Sequence, residues 1–152
     1  LLQAWKKLNY SDAVLMLGGI DSTHPWVQEL VHRYGGGNVW SVGWVENVSN
    51  FYADCSLYIQ PSATEGFGIE VLEAMASGRP VLCSTGAGAQ DCVPDSWRFP
   101  ACDSDRLAKE IDAVRMGSKS LSGNPMYWQT IASDYTWEIV RKKYQDLWRS
   151  ML

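Results

Sequence analysis

An α/β domain built on a doubly wound, Rossmann-like parallel sheet is what this sequence predicts, and two observations carry the prediction. Short apolar runs closed by glycine or proline alternate with stretches whose apolar residues recur at helical spacing. The first of those runs, Ala13 to Leu17, is continuously apolar, as a strand covered on both faces must be. With 152 residues there is room for one such domain and none for a second of full size.

The elements follow in order. Leu1, Leu2, Trp5 and Leu8 share a helical face, although no start signal precedes them. Ala13 to Leu17, closed by Gly18 and Gly19, reads as a strand buried on both faces. Pro25 opens a helix to Tyr34, where Gly35, Gly36 and Gly37 end it. Val39 to Val45 is a second strand, Asn47 to Ala53 a short helix, and Leu57 to Gln60 a third strand stopped by Pro61. The run IEVLEAMASG after Gly68 is helical and ends at Gly78, before the strand Pro80 to Ser84. Trp97 to Phe99 is a further short strand. Leu107, Ile111 and Val114 mark a helix from Arg106 to Arg115 with Asp103 and Ser104 as cap candidates. Gly117 to Pro125 reads as a linker, and Val140, Tyr144, Leu147, Trp148 and Met151 line one face of a last helix.

Composition narrows the function classes. Thirteen Lys plus Arg against 17 Asp plus Glu give a net charge of −4, so no general field draws the chain to nucleic acid or an anionic membrane. No apolar run reaches the roughly 20 residues of a membrane helix, and a cytoplasmic protein is expected, with membrane contact only through a parent protein. Cys55, Cys83, Cys92 and Cys102 form no Cys-x-x-Cys pair and are expected to be reduced thiols. His24 and His32 stand apart from any ligand cluster; surface or capping roles are expected, and neither metal nor cofactor is.

Doubly wound sheets bind ligands beyond the carboxyl ends of their strands, which directs attention to the loops after Leu17, Val45, Gln60 and Ser84. The loop Pro61-Ser62-Ala63-Thr64-Glu65-Gly66-Phe67-Gly68 runs straight into a helix. Its two glycines let a ligand approach the backbone, and the free amides of a helix start attract phosphate. For Glu65 two roles are open: capping that helix, or facing the hydroxyls of a ligand. Glu73 lies on the margin of the helix's apolar face without an intrahelical cation, so it requires a tertiary partner or a polar ligand. Glu70, farther round, reads as solvated.

The run PSATEGFGIEVLEAMASGRPVLCST resembles the donor site of family 4 glycosyltransferases of the GT-B fold, whose hallmark is a Glu, seven residues and a second Glu, the spacing of Glu65 and Glu73. Gly18 after the first strand, the segment Ser41-Val42-Gly43-Trp44-Val45, and Tyr135-Thr136-Trp137 before the last helix extend the resemblance more weakly over the chain. It implies a single domain, residues 1–152, forming the C-terminal, donor-binding half of a retaining, metal-independent glycosyltransferase. It also implies that Glu65 meets the donor sugar near the reacting carbon and that Gly66, Phe67, Gly68 and Ile69 present the loop's backbone to sugar and diphosphate. Glu73 would bind the ribose hydroxyls, and Gly43, Trp44 and Val45 would lie near the base.

The chain departs from the family in two places. Where the family carries two glycines and then a glutamate, it has Ala87, Gly88 and Asp91; Gly88 and Asp91 join the candidate donor contacts with that change. The Gly86-Ala87-Gly88 run also invites a dinucleotide-fold reading, but lacks the third glycine or alanine of that motif. The family's preceding strand, its diphosphate-facing arginine and lysine, and its N-terminal acceptor domain are expected upstream of Leu1, and Lys6 and Lys7 do not replace those cations. Without that strand, Ala13 to Leu17 and Leu57 to Gln60 should present unpaired edges that either pair with each other or invite self-association. Three functions remain: half of a glycosyltransferase, a nucleotide-sugar binding module without catalysis, and a GT-B sugar-nucleotide epimerase.

Overall fold

The computed structural model describes residues 1–34, 38–119 and 124–151. The glycines Gly35, Gly36 and Gly37, expected to end a helix, and residues 120–123 of the expected linker lie outside the described residues. The strands are β1 (Leu15–Gly18), β2 (Val39–Gly43), β3 (Tyr58–Gln60), β4 (Val81–Ser84) and β5 (Arg98–Phe99). The helices are α1 (Leu2–Leu8), α2 (Pro25–Tyr34), α3 (Val48–Ala53), α4 (Ile69–Ala76), α5 (Ser104–Arg115), α6 (Pro125–Ser133) and α7 (Trp137–Ser150). Short 3₁₀ turns cover Gly88–Cys92 and Asp95–Trp97, so the expected strand from Trp97 begins one residue later, at Arg98.

Every strand pairing is parallel. β1 pairs with β2, and β3-β4-β5 form a second sheet with β4 in the middle. These neighbours match the second-third and fourth-fifth-sixth strands of the doubly wound order. Among the described residues β1 and β3 do not pair with each other, so of the two expected outcomes for their inner edges, direct closure is not the one adopted. β4 is buried along its whole length, in keeping with its apolar run. The expectation that the first strand is covered on both faces is not met. Only Leu15 of β1 is buried, while Trp40 and Val42 of β2 are exposed on the uncovered side.

The main core gathers Val71, Ala74 and Met75 of α4, Val81, Leu82 and Cys83 of β4, Trp97, Phe99, and Leu107 and Ile111 of α5. A smaller cluster of Trp5, Leu15 and Val39 serves β1 and β2, with Leu1, Leu8 and Tyr10 packed against both. Local signals start the later helices: the Asp103 side chain accepts from Arg106 N–H at 2.8 Å, and that of Thr136 from Ile139 N–H at 3.5 Å. The four cysteines are free thiols.

Two further features differ from the sequence reading. Residues from Pro125 onward, expected to close a linker, begin α6, which packs along α4 and buries Trp128 completely. Conversely, α7 has the predicted apolar face but buries none of it; Tyr144, Leu147, Trp148 and Met151 are all exposed. No helix of the described residues is long and apolar enough to cross a membrane.

Candidate active site

The loops that follow β3 and β4 are joined by backbone. After both strands have ended, Glu65 N–H donates to Gly86 O at 2.9 Å, Gly88 N–H to Glu65 O at 3.2 Å, and Ala89 N–H to Phe67 O at 2.7 Å. So close an approach leaves no space for side chains. A Cβ on Gly86 would sit 2.3 Å from Ala63 O, and one on Gly88 2.3 Å from Gly66 O. The glycine run that resembled a dinucleotide motif is therefore explained by loop-to-loop packing, and Gly88 has a structural reason independent of any ligand. Gly88→Ala is expected to force the loops apart and destabilise the domain by about 1–3 kcal/mol. Thermal unfolding measures it; a wild-type melting temperature would show that the loops tolerate separation.

The joined loops present the start of α4. Gly68 is its N-cap, at φ 90° and with no side-chain cap, and the site its Cβ would take lies 3.2 Å from Gln60 Nε2. Any other residue there would be both strained and crowded. Val71 N–H donates to Gly68 O at 3.1 Å, and the amides ahead of it lie at the positive end of the helix dipole. Glu65 does not use its carboxylate to cap them: Oε1 accepts from Gly66 N–H at 2.9 Å, and the side chain stays exposed, as do Phe67 and Ile69. Of the two roles open to it, capping α4 is thus not the one seen.

Glu73, one helical turn farther, has the tertiary partner its position required. Tyr52, on α3, donates its hydroxyl to Glu73 Oε2 at 3.1 Å. Tyr52 is only 4% exposed, its ring edge-on to Tyr58 at 5.6 Å between centroids. Burial first, then the nearby Tyr58 and Glu73, push its ionisation well above the usual phenol range, so it remains a proton donor. Tyr58 in turn donates to Gln60 Oε1 at 2.7 Å, and Gln60 Nε2 to Ser62 Oγ at 3.2 Å. Glu70 is exposed, as expected.

The third group of candidates lies at the ends of β1 and β2. Gly18 pairs with Gly43, and Gly19 N–H donates to Gly43 O at 2.8 Å. The space above Gly18 is filled by Phe51 and Val45, 3.0 and 3.1 Å from where a Cβ would stand. α3 thereby joins the two halves: Phe51 covers Gly18 while the adjacent Tyr52 holds Glu73. Trp44 projects outward, 81% exposed. Asp91 is exposed on its 3₁₀ turn. Lys6 and Lys7 are engaged elsewhere, with Arg33 O and with Asp105 and Ser104.

Sequence reasoning did not single out Tyr52 or Gln60, and it noticed Gly86 only as part of a possible dinucleotide motif. Gln60 left a signal, since a polar residue ending an apolar strand is buried here at 7% exposure and props the loop below Gly68. Tyr52 left none, because its bond to Glu73 spans 21 residues. Nor does cavity size point to this face: cavities of about 600 Å³ along α7 and 450 Å³ between α1, α2 and Pro61 contain neither Glu65 nor Glu73.

The chain is similar to known proteins. The family profile described as glycosyl transferases group 1 matches residues 1–115. Protein CapJ of Staphylococcus aureus is 30% identical over 94 residues, covering 62% of this chain and 24% of CapJ. A glycosyltransferase from Rickettsia africae superposes with a TM-score of 0.85 at 18% identity, over 99% of this chain and 43% of that one. Anabaena Alr3699/HepE in complex with UDP gives a TM-score of 0.81 at 22% identity, over 99% of this chain and 44% of that one. The same Anabaena protein has been solved with UDP-glucose. These likenesses identify the fold as that of GT-B glycosyltransferases. The chain spans less than half the length of these relatives.

Proposed function

This chain belongs to the glycosyl transferases group 1 family, and we propose that it supplies the donor-binding half of an enzyme that moves a sugar from a nucleotide sugar to an acceptor with retention of anomeric configuration. The observation that carries the reading is the uncapped start of α4, held open by the bond between the 61–68 and 85–89 loops, with Glu65 on one side and Glu73 one turn beyond. In the transfer, the bond from the anomeric carbon to the diphosphate oxygen breaks and its electron pair leaves with the nucleoside diphosphate. A bond from the acceptor oxygen to the same carbon forms as the acceptor loses its proton.

Each element then has a task. Gly66, Phe67, Gly68 and Ile69 offer backbone to the sugar and diphosphate, and the α4 dipole stabilises charge developing on the leaving group without a resident metal. Glu65 faces the reacting sugar. Glu73 accepts from the ribose hydroxyls, while Gly18, Gly43, Trp44 and Val45 form the base end of the site. Gly88 and Asp91 close the sugar end, Gly88 through the backbone contact that seats the loop.

The test is product analysis with the full-length protein and a panel of nucleotide sugars, including UDP-glucose. An α-linked product from an α-linked donor supports retaining transfer; saturable binding without turnover, or an epimerised donor, overturns it. Glu73→Gln should raise donor KM about three- to tenfold with kcat nearly unchanged, because a neutral amide accepts hydroxyl hydrogen bonds less strongly than a carboxylate. An unchanged KM with normal turnover would remove the ribose role from Glu73.

A further inference from the structure

A carboxylate that grips a ribose must do more than be near it. Its two oxygens accept along fixed lone-pair directions, and three rotatable bonds separate them from the helix backbone. A freely turning Glu73 would spend binding energy on being ordered by its ligand. Nothing on α4 itself orders it: its neighbours three and four residues away are Glu70, Ala76, Ile69 and Ser77, none of them a cation. The group that does reach it comes from α3. Tyr52 O–H donates to Oε2 at 3.1 Å, and Tyr52 is itself immobilised by burial at 4% exposure and by the edge-on ring of Tyr58.

We propose that Tyr52 is a positioning residue for nucleotide-sugar recognition, locking the Glu73 carboxylate in one orientation so that Oε1 and the remaining lone pair of Oε2 are presented to the ribose diol. The proposal rests on the reading of Glu73 as the ribose-binding group. Its physical logic is preorganisation. The hydroxyl occupies one of the roughly four acceptor positions of the carboxylate and leaves the others for ligand. Because Tyr52 keeps its proton, it brings no second negative charge beside Glu73 and can serve only as donor. Glu73 is half-buried, so it retains a solvent-facing side from which a diol can approach. The same helix ties this device to the other end of the site, since Phe51 next to Tyr52 packs over Gly18 at the end of β1. Ribose and base recognition would thus be set by one short element, α3.

Tyr52→Phe isolates the hydroxyl, since the ring and its contact with Tyr58 are kept. In the full-length protein, affinity is measured by calorimetry for whichever of UDP, GDP and ADP the wild type binds, and for its 2′,3′-dideoxy analogue. Four proteins are compared: wild type, Tyr52→Phe, Glu73→Gln and the double variant. Tyr52→Phe is expected to weaken binding of the ribonucleotide about three- to tenfold. It should leave the dideoxy analogue unchanged within about twofold, and it should add little in the Glu73→Gln background, the signature of a coupled pair. Donor KM should rise while kcat at saturating donor stays near wild type. An equal loss for both nucleotides, or the same loss with and without Glu73, makes Tyr52 a structural residue only and overturns the proposal; so does no loss at all. If instead Glu73→Gln itself fails to distinguish ribo- from dideoxynucleotide, the ribose reading falls and the proposal falls with it.

Discussion

Replacing Trp128 by Ala is expected to destabilise the domain by about 3–5 kcal/mol, the cost of emptying a large buried site. Replacing Trp148, 72% exposed on α7, is expected to cost less than about 0.5 kcal/mol. The contrast follows from where each helix lies. Trp128 is fully buried, edge-on to Trp97 at 4.9 Å and to Tyr127 at 5.7 Å between centroids, and it fixes α6 along α4. α4 is the helix whose start forms the candidate site, so its backing is part of what keeps that site in shape. For a chain of this size about 1 kcal/mol moves the melting temperature by some 2–4 °C, so Trp128→Ala should lower it by roughly 10 °C. Denaturant melts of the two variants decide the matter. If Trp128→Ala proves as stable as Trp148→Ala, then α6 is not part of the cooperative core.

That helix marks where the sequence stops being legible. Asn124 accepts from Tyr127 N–H at 3.2 Å, with Pro125 at the first helical position, a start signal that local chemistry supplies and that the linker-like residues before it masked. The clearest elements were those that local pattern dictates, such as the glycine-led helix α4 and the largely apolar β4, which flank the loops of the candidate site. What could not be read is set by long-range contact. The partial exposure of β1 and β2 depends on what covers a face, not on the alternation along it. The 2.3 Å approach that obliges Gly86 and Gly88 to be glycine is made by residues some 20 positions away. The apolar stripe of α7 was predicted correctly as a pattern, yet a pattern does not say against what it packs.

Glu65→Ala in the full-length protein is expected to lower kcat on the order of 100-fold or more while donor KM moves within about threefold. The substitution is informative because so little else depends on the side chain. The place of Glu65 is held by its backbone, through the bonds to Gly86 O and from Gly88 N–H, and alanine keeps both. Among the described residues its carboxylate makes one hydrogen bond, Oε1 accepting from Gly66 N–H, and it does not cap α4. Loss of a contact made by an exposed group of this kind costs little stability, so the melting temperature should stay near wild type. A group aimed at the reacting sugar contributes most when charge develops on the anomeric carbon, hence the loss falls on kcat and not on ground-state binding. A hundredfold drop corresponds to about 2.7 kcal/mol of transition-state stabilisation. Steady-state kinetics with varied donor, alongside thermal melts of the same preparations, separates the cases. Wild-type kcat would withdraw Glu65 from the reaction, and a fall in kcat matched by a fall in stability would assign it to holding the loop.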